Sequence, residues 1–150
     1  MTYDPSAPTQ DEREAHYNFV WPGLAASVAM VASNFLPIGH LIEGFAAVIV
    51  GSYLGILPLA DRYDDYFKSL AVRAFRWAVV VIGLWTLAQG MVGILEGFYG
   101  VGVTAAGSTL PEKDASWKAP ELLNSAWLLA GLASTAFHAG FAYYYLRGTE

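Results

Sequence analysis

Apolar residues are concentrated in four long stretches of the chain, at residues 19–36, 41–60, 77–95 and 125–146. Each stretch is almost free of charge, and its ends carry Pro, Gly, aromatic or charged residues. A helix rises about 1.5 Å per residue, so each stretch is about long enough to cross a hydrocarbon layer of roughly 30 Å. The pattern predicts an all-α, polytopic membrane protein with four transmembrane helices, short connections and one longer outer loop, folded as a single domain over residues 1–150.

The composition supports a membrane protein over a soluble one. Charged residues make up 14% of the 150 residues and hydrophobic ones 55%, whereas a soluble domain carries about 25% charged residues. A soluble chain of this size would have to bury four helices that are apolar on all faces. The chain has no cysteine, which excludes disulfides, thiolate metal sites and cysteine catalysis. With a net charge of -5 and no basic face, no nucleic-acid partner is expected.

The distribution of Lys and Arg predicts the orientation. If all four stretches span, one side holds Arg13, Arg62, Lys68, Arg73, Arg76 and Arg147, and the other holds Lys113 and Lys118. The positive-inside rule then places both termini, including the polar segment 1–17, in the cytoplasm of a cell whose inner membrane holds the protein. The loop at residues 98–121 lies outside. The cytoplasmic segment 61–76 is either a short interfacial helix or an extension of the third span.

Small residues form stripes on the second and third spans. The second span carries Gly44, Gly51 and Gly55, and the third carries Gly90, Gly93 and Gly97. Gly51 with Gly55 and Gly93 with Gly97 are GxxxG pairs. Helices in lipid associate where small residues let their backbones approach. We therefore expect the second and third spans to pack on each other or on a partner protein.

Three ionisable residues fall at the predicted outer membrane level. His40 and Glu43 are three residues apart and share a helix face, and Glu96 ends the antiparallel third span at the same level. If the two spans meet, the three side chains converge on one site that can hold a metal ion or pass a proton. Two alternatives stay open: a polar packing cluster, or solvated surface residues with Glu43 favoured by the positive end of its helix.

His138 lies in the middle of the fourth span among small residues. Over a few residues the segment resembles the pigment-ligating helices of light-harvesting proteins, with Ser134 as the small residue one turn before the histidine. An imidazole in such a place, with room for a flat ring system, can ligate a haem iron or a pigment magnesium, so His138 is a candidate haem or pigment ligand. The alternative is a hydrogen bond from the imidazole to a backbone carbonyl or a neighbouring helix. Neither His16 nor His40 is expected at the depth needed for a second haem ligand.

The chain has no nucleotide-binding, hydrolase or metalloprotease motif, so it is not expected to be an enzyme on its own. Its short length and small-residue faces favour a small accessory or structural subunit of a larger integral membrane complex of respiratory, photosynthetic or membrane-oxygenase type. The competing hypothesis is a cofactor-bearing or proton-handling protein that uses His138 or the cluster of His40, Glu43 and Glu96. A homo-oligomeric channel is a third possibility. The sequence leaves the cofactor open.

Overall fold

The structure of the chain, a computed structural model, describes residues 9–57, 63–105, 107 and 120–148. These residues are helical, with no strand among them. The helices are α1 (Gln10–Asn18), α2 (Val20–Ala32), α3 (His40–Ile56), α4 (Asp65–Ala105) and α5 (Ala126–Arg147), and a single 3-10 turn at Glu121–Asn124 precedes α5. The all-α prediction is confirmed.

The third predicted span is part of a much longer helix. Helix α4 begins at Asp65, with Asp64 Oδ1 accepting a hydrogen bond of 2.6 Å from Phe67 N. The segment before Arg76 is thus an extension of the span, one of the two alternatives. The helix also continues beyond residue 98 to Ala105, so the prediction that the outer loop begins at residue 98 is wrong. Glycine lowers helix propensity, but unlike proline it removes no hydrogen-bond donor, and the apolar run therefore stays helical. Most of the remaining loop lies outside the described residues.

One described helix, α4, is both long and apolar enough to cross a membrane. It has 41 residues, which corresponds to roughly 60 Å. Helices α2 and α3 have 13 and 17 residues and are short for a span. Helix α5 has 22 residues, but its imidazole, hydroxyl and tyrosine side chains lower its hydropathy. By helix length and hydropathy, one described helix therefore supports membrane association.

The helices pack in the spatial order α4, α5, α2, α3. Between α4 and α5 the core contains Leu70 and Ala74 against Phe137 and Phe141, all almost fully buried. A second cluster joins α2 to α3 through Ala26, Met30, Ala46 and Val50. Helices α3 and α4 therefore lie on opposite sides of the α2/α5 pair along most of their length, and the end of α3 packs against the core cluster that includes Phe67 at the start of α4.

Glycine allows close helix contact in this fold, but at positions other than the predicted ones. A Cβ built at Gly140 would lie 2.8 Å from Trp77 Cδ1, and one at Gly131 would lie 3.1 Å from Val31 Cγ2. These two glycines let α5 approach α4 and α2. At the predicted packing residues, no described atom outside the helix's own nearby backbone lies within 4 Å of such a Cβ; these residues are Gly44, Gly51, Gly55, Gly90, Gly93 and Gly97. Packing of the second and third spans on each other at these glycines is not found among the described residues, and their packing on a partner stays a prediction.

Polar side chains tie the helix ends at the end of the bundle where α5 begins. Ser125 Oγ donates to Asn34 Oδ1 at 3.1 Å, and Gln89 Nε2 donates to Leu123 O at 2.7 Å. Gln89 is therefore level with the turn that precedes α5. Residues 90–105 project past this level by roughly 24 Å, and we call them the projecting segment of α4.

Candidate ligand cavity at His138

His138 is held on the inner side of α5 by two contacts of one ring nitrogen. Its Nδ1 lies 2.8 Å from the carbonyl oxygen of Ser134 and 3.1 Å from Ser27 Oγ on α2. The residue is 2% exposed. Its ring therefore joins α5 to α2 in the centre of the bundle.

These contacts fix the tautomer of the neutral ring. The Ser134 carbonyl oxygen can only accept a hydrogen bond, so Nδ1 carries the proton. The Ser27 hydroxyl donates to Gly23 O at 2.7 Å, which leaves its oxygen free to accept a share of the same Nδ1–H. The other nitrogen, Nε2, is then an unprotonated acceptor with a lone pair.

Nε2 has no hydrogen-bond partner among the described residues. Every fully buried side-chain N or O atom in those residues does have one, so Nε2 retains contact with open space. Gly23 provides part of the room: a Cβ there would lie 2.5 Å from His138 Cδ2 and closer still to Nε2. The bare backbone of Gly23 is what allows the imidazole to sit at this position.

The open space beside His138 is an aromatic cavity of about 200 Å³. Its walls come from α1, α2, α3, α5 and the start of α4. The lining residues are His16, Phe19, Val20, Ser52, Tyr53, Leu57, Tyr63, Phe67, Phe137, His138 and Phe141. They include several polar atoms, and no Asp, Glu, Lys or Arg is among these described residues. This part of the lining is therefore uncharged when both imidazoles are neutral.

His16 lines the same cavity as His138, which the sequence did not indicate. Helix α1 ends beside the start of α4, where the His16 ring makes an edge contact with Tyr63 at 4.7 Å between centroids. Tyr17 next to it donates to Asp64 Oδ1 at 3.1 Å. The polar segment 1–17 was predicted only as a cytoplasmic extension, and nothing in its composition shows that residues 10–18 fold back on the bundle.

The structure contains the hydrogen bond from His138 to a backbone carbonyl that formed the alternative to ligation. This bond does not compete with a ligand role, because histidines that bind metal donate their other N–H in the same way. The cavity volume does restrict the ligand. A tetrapyrrole is several rings wide, whereas a cavity of roughly 150 Å³ is known to accommodate one benzene ring. A whole tetrapyrrole is thus larger than the cavity that the described residues form, and binding of a haem or pigment by His138 stays a prediction.

His40 and Glu43 form a local pair at the start of α3. His40 Nδ1 lies 3.2 Å from Glu43 Oε2, and the His40 side chain is fully exposed. Glu96 lies on the projecting segment of α4, apart from this pair. No three His, Asp or Glu side chains in the described ranges form a group that could hold a metal ion. The expected convergence of the three residues is therefore not found within the described part of one chain.

Comparisons with protein-family models, curated protein sequences and solved structures give no match to this chain. Any function must therefore be argued from the chain's own residues.

Proposed function

We propose that the chain is an integral membrane protein that acts as a small accessory or structural subunit of a larger membrane complex. Helices α2 to α5 would be its four spans, with both termini in the cytoplasm and the protein in the inner membrane. The observation that carries the proposal is the projecting segment of α4, which is mostly apolar and is exposed at nearly every position among the described residues.

The projecting segment is exposed at nearly every position. Phe98 is 73% exposed and Val101 is 68% exposed, and no polar stripe separates such side chains. In water this surface would cost about 25 cal/mol for every Å², and apolar patches of this kind mark lipid or protein contacts. Against another helix, Gly93 and Gly97 would allow close backbone approach. The surface of the segment is thus suited to contact with a partner protein in the membrane.

The opposite end of the bundle carries the residues typical of a membrane interface. A groove of about 930 Å³ between α4 and α5 is lined by Arg73, Trp77, Tyr144 and Arg147 among others. Trp77 Nε1 donates to Tyr144 Oη at 3.4 Å, and the Arg73 guanidinium lies 5.8 Å from the centre of the Tyr144 ring. Trp and Tyr are enriched at the headgroup level of both membrane faces, and arginine is enriched on the cytoplasmic side. This supports the proposed orientation.

The glycine face of α3 offers a second surface for a partner. Gly44, Gly51 and Gly55 are exposed, and bulky apolar residues flank them, such as Phe45 at 69% exposure. Because α3 lies at one edge of the bundle and α4 at the other, the two faces would contact different helices. A subunit of this shape would lie between partners in a respiratory, photosynthetic or membrane-oxygenase complex.

Association in native membranes tests the proposal. Extraction in mild detergent, followed by a native gel and mass spectrometry, should show the protein in an assembly much larger than itself. Gly93→Leu/Gly97→Leu should release it, because leucine blocks close approach of a partner helix, while a Cβ at either position meets no described atom within 4 Å. Val80→Leu, at an exposed position of the same helix, is the matched control and should leave the assembly intact. Unchanged assembly of the double variant would contradict the proposal.

A second candidate function, a ligand-binding protein that uses His138, is favoured by the open Nε2 position. It is compatible with a packing role, because the cavity lies at the centre of the bundle and the glycine faces lie at its edges.

A further inference from the structure

We propose that the cavity beside His138 binds a neutral, single-ring aromatic compound that carries a hydroxyl group, with the ligand hydroxyl donating a hydrogen bond to His138 Nε2. Such a ligand is a phenol or the headgroup of a quinol. The proposal does not depend on the packing role of the chain.

The protonation of His138 determines which hydrogen-bonding group the ligand needs. Nδ1 is committed as a donor to the Ser134 carbonyl oxygen at 2.8 Å. Nε2 is therefore an acceptor that faces open space, and a ligand that covers it without donating a hydrogen bond would leave it unsatisfied at a cost of about 1–3 kcal/mol. A ligand that donates a hydrogen bond removes this cost. A hydroxyl does so, whereas a ketone or an ether does not.

The walls determine the shape of the ligand. The cavity measures about 200 Å³, somewhat more than the roughly 150 Å³ that accommodates a benzene ring. Tyr53 stands at 76° to the His138 ring, with centroids 6.4 Å apart, and Phe137 stands at 84° and 5.1 Å. Aromatic walls at such angles offer edges and faces to a flat guest. One ring with a small substituent fits this space.

The charge of the lining selects a neutral ligand. The described residues that line the cavity include no Asp, Glu, Lys or Arg, so none of them would compensate an ammonium or a carboxylate on the ligand. Ser52 and Tyr53 add hydroxyls to the lining, and the described residues provide no hydrogen-bond partner for the Tyr53 hydroxyl. A second polar substituent on the ring, as in a quinol, can form a hydrogen bond with one of these hydroxyls.

A pair of ligands that differ only in the donor tests the proposal on the unaltered protein. Para-cresol and its methyl ether have the same ring and methyl group, but the ether cannot donate. Titration into the purified protein in detergent, followed by calorimetry, should show para-cresol binding roughly tenfold more tightly. In nitrogen-15 spectra of the imidazoles, the signal of an unprotonated Nε2 should shift with the phenol and not with the ether. Absence of binding, or equal affinity for both compounds, would overturn the proposal.

The variant His138→Leu removes the acceptor and should abolish the difference between the two compounds. If that variant does not fold, the comparison on the unaltered protein still decides. A short-tailed benzoquinol distinguishes the two sources of the ligand. Tighter binding than para-cresol indicates a membrane quinol, and no gain from the tail indicates a free phenol. Either result supports the hydroxyl-bearing ring.

Discussion

The imidazole of His138 lies directly against the backbone of Gly23, with no space between them for a Cβ atom. This contact joins α5 to α2 and places Nε2 at the edge of the aromatic cavity. Because Gly23 has no side chain, α2 and α5 can pack closely and the His138 ring has room beside the cavity.

Gly23→Ala should destabilise the protein. The new methyl group would collide with the His138 ring, which Ser134 and Ser27 hold in place. Overpacking of this kind costs about 1–3 kcal/mol, measurable as a lower midpoint of thermal unfolding in detergent. Gly44→Ala is the matched control, because nothing lies within 4 Å of a Cβ there, and alanine should leave the midpoint unchanged or raise it slightly. Equal midpoints for Gly23→Ala and the parent protein would contradict the described contact.

Tyr17→Phe should lower stability by about 1 kcal/mol below pH 10, because the hydrogen bond to Asp64 is lost. Burial, and then the Asp64 carboxylate, raise the pKa of Tyr17 well above its ordinary value near 10. A pKa raised on folding means that the folded state favours the protonated phenol. The stabilisation is therefore fully present below pH 10 and is lost as the pH rises from there through the higher folded-state pKa.

The measurement is the unfolding midpoint from pH 8 to pH 11. Above pH 10 the parent protein should lose stability more steeply than the Tyr17→Phe variant. Parallel curves for the two proteins across this range would show that Tyr17 does not interact with Asp64 as described.

Ser125→Ala should destabilise α5 by about 1–2 kcal/mol. Ser125 Oγ accepts from Leu128 N at 3.1 Å as the N-cap of α5 and donates to Asn34, and loss of such a cap costs about that much. Thr86→Ala is the control, since Thr86 Oγ1 bonds only within its own helix, to Ile82 O. A larger loss of stability in the control than in Ser125→Ala would count against the tie between α2 and α5.

The sequence predicts the helices well because long apolar runs between turn residues leave little choice of secondary structure. It predicts their packing poorly. A helix with Gly51 and Gly55 on one face looks suited to internal contact, but lipid-facing and core-facing surfaces of membrane helices are equally apolar. Gly23 and Gly140 are glycines that do allow a close contact between helices. Neither belongs to a GxxxG pair.

The candidate site was predicted in part. His138 is visible in the sequence as an imidazole in the middle of an apolar run, which is uncommon. Its partners Ser27 and Gly23 are more than a hundred positions earlier in the chain, and no local pattern connects them to it. A polar N-terminal segment gives no sign of folding back to a cavity, so the sequence does not place His16 there. The glycines after residue 98 favour a loop in the sequence, whereas the structure continues the helix to Ala105.

Cross-linking of the projecting segment in native membranes tests the central claim most directly. The chain contains no cysteine, so a single cysteine at each position from 90 to 105 carries the only thiol. We expect short thiol cross-linkers to join this segment to another membrane protein, at positions that repeat with the helical period and centre on Gly93 and Gly97. If every position instead reacts with a membrane-impermeant maleimide and none cross-links to another protein, the segment is exposed to water and the packing role is contradicted.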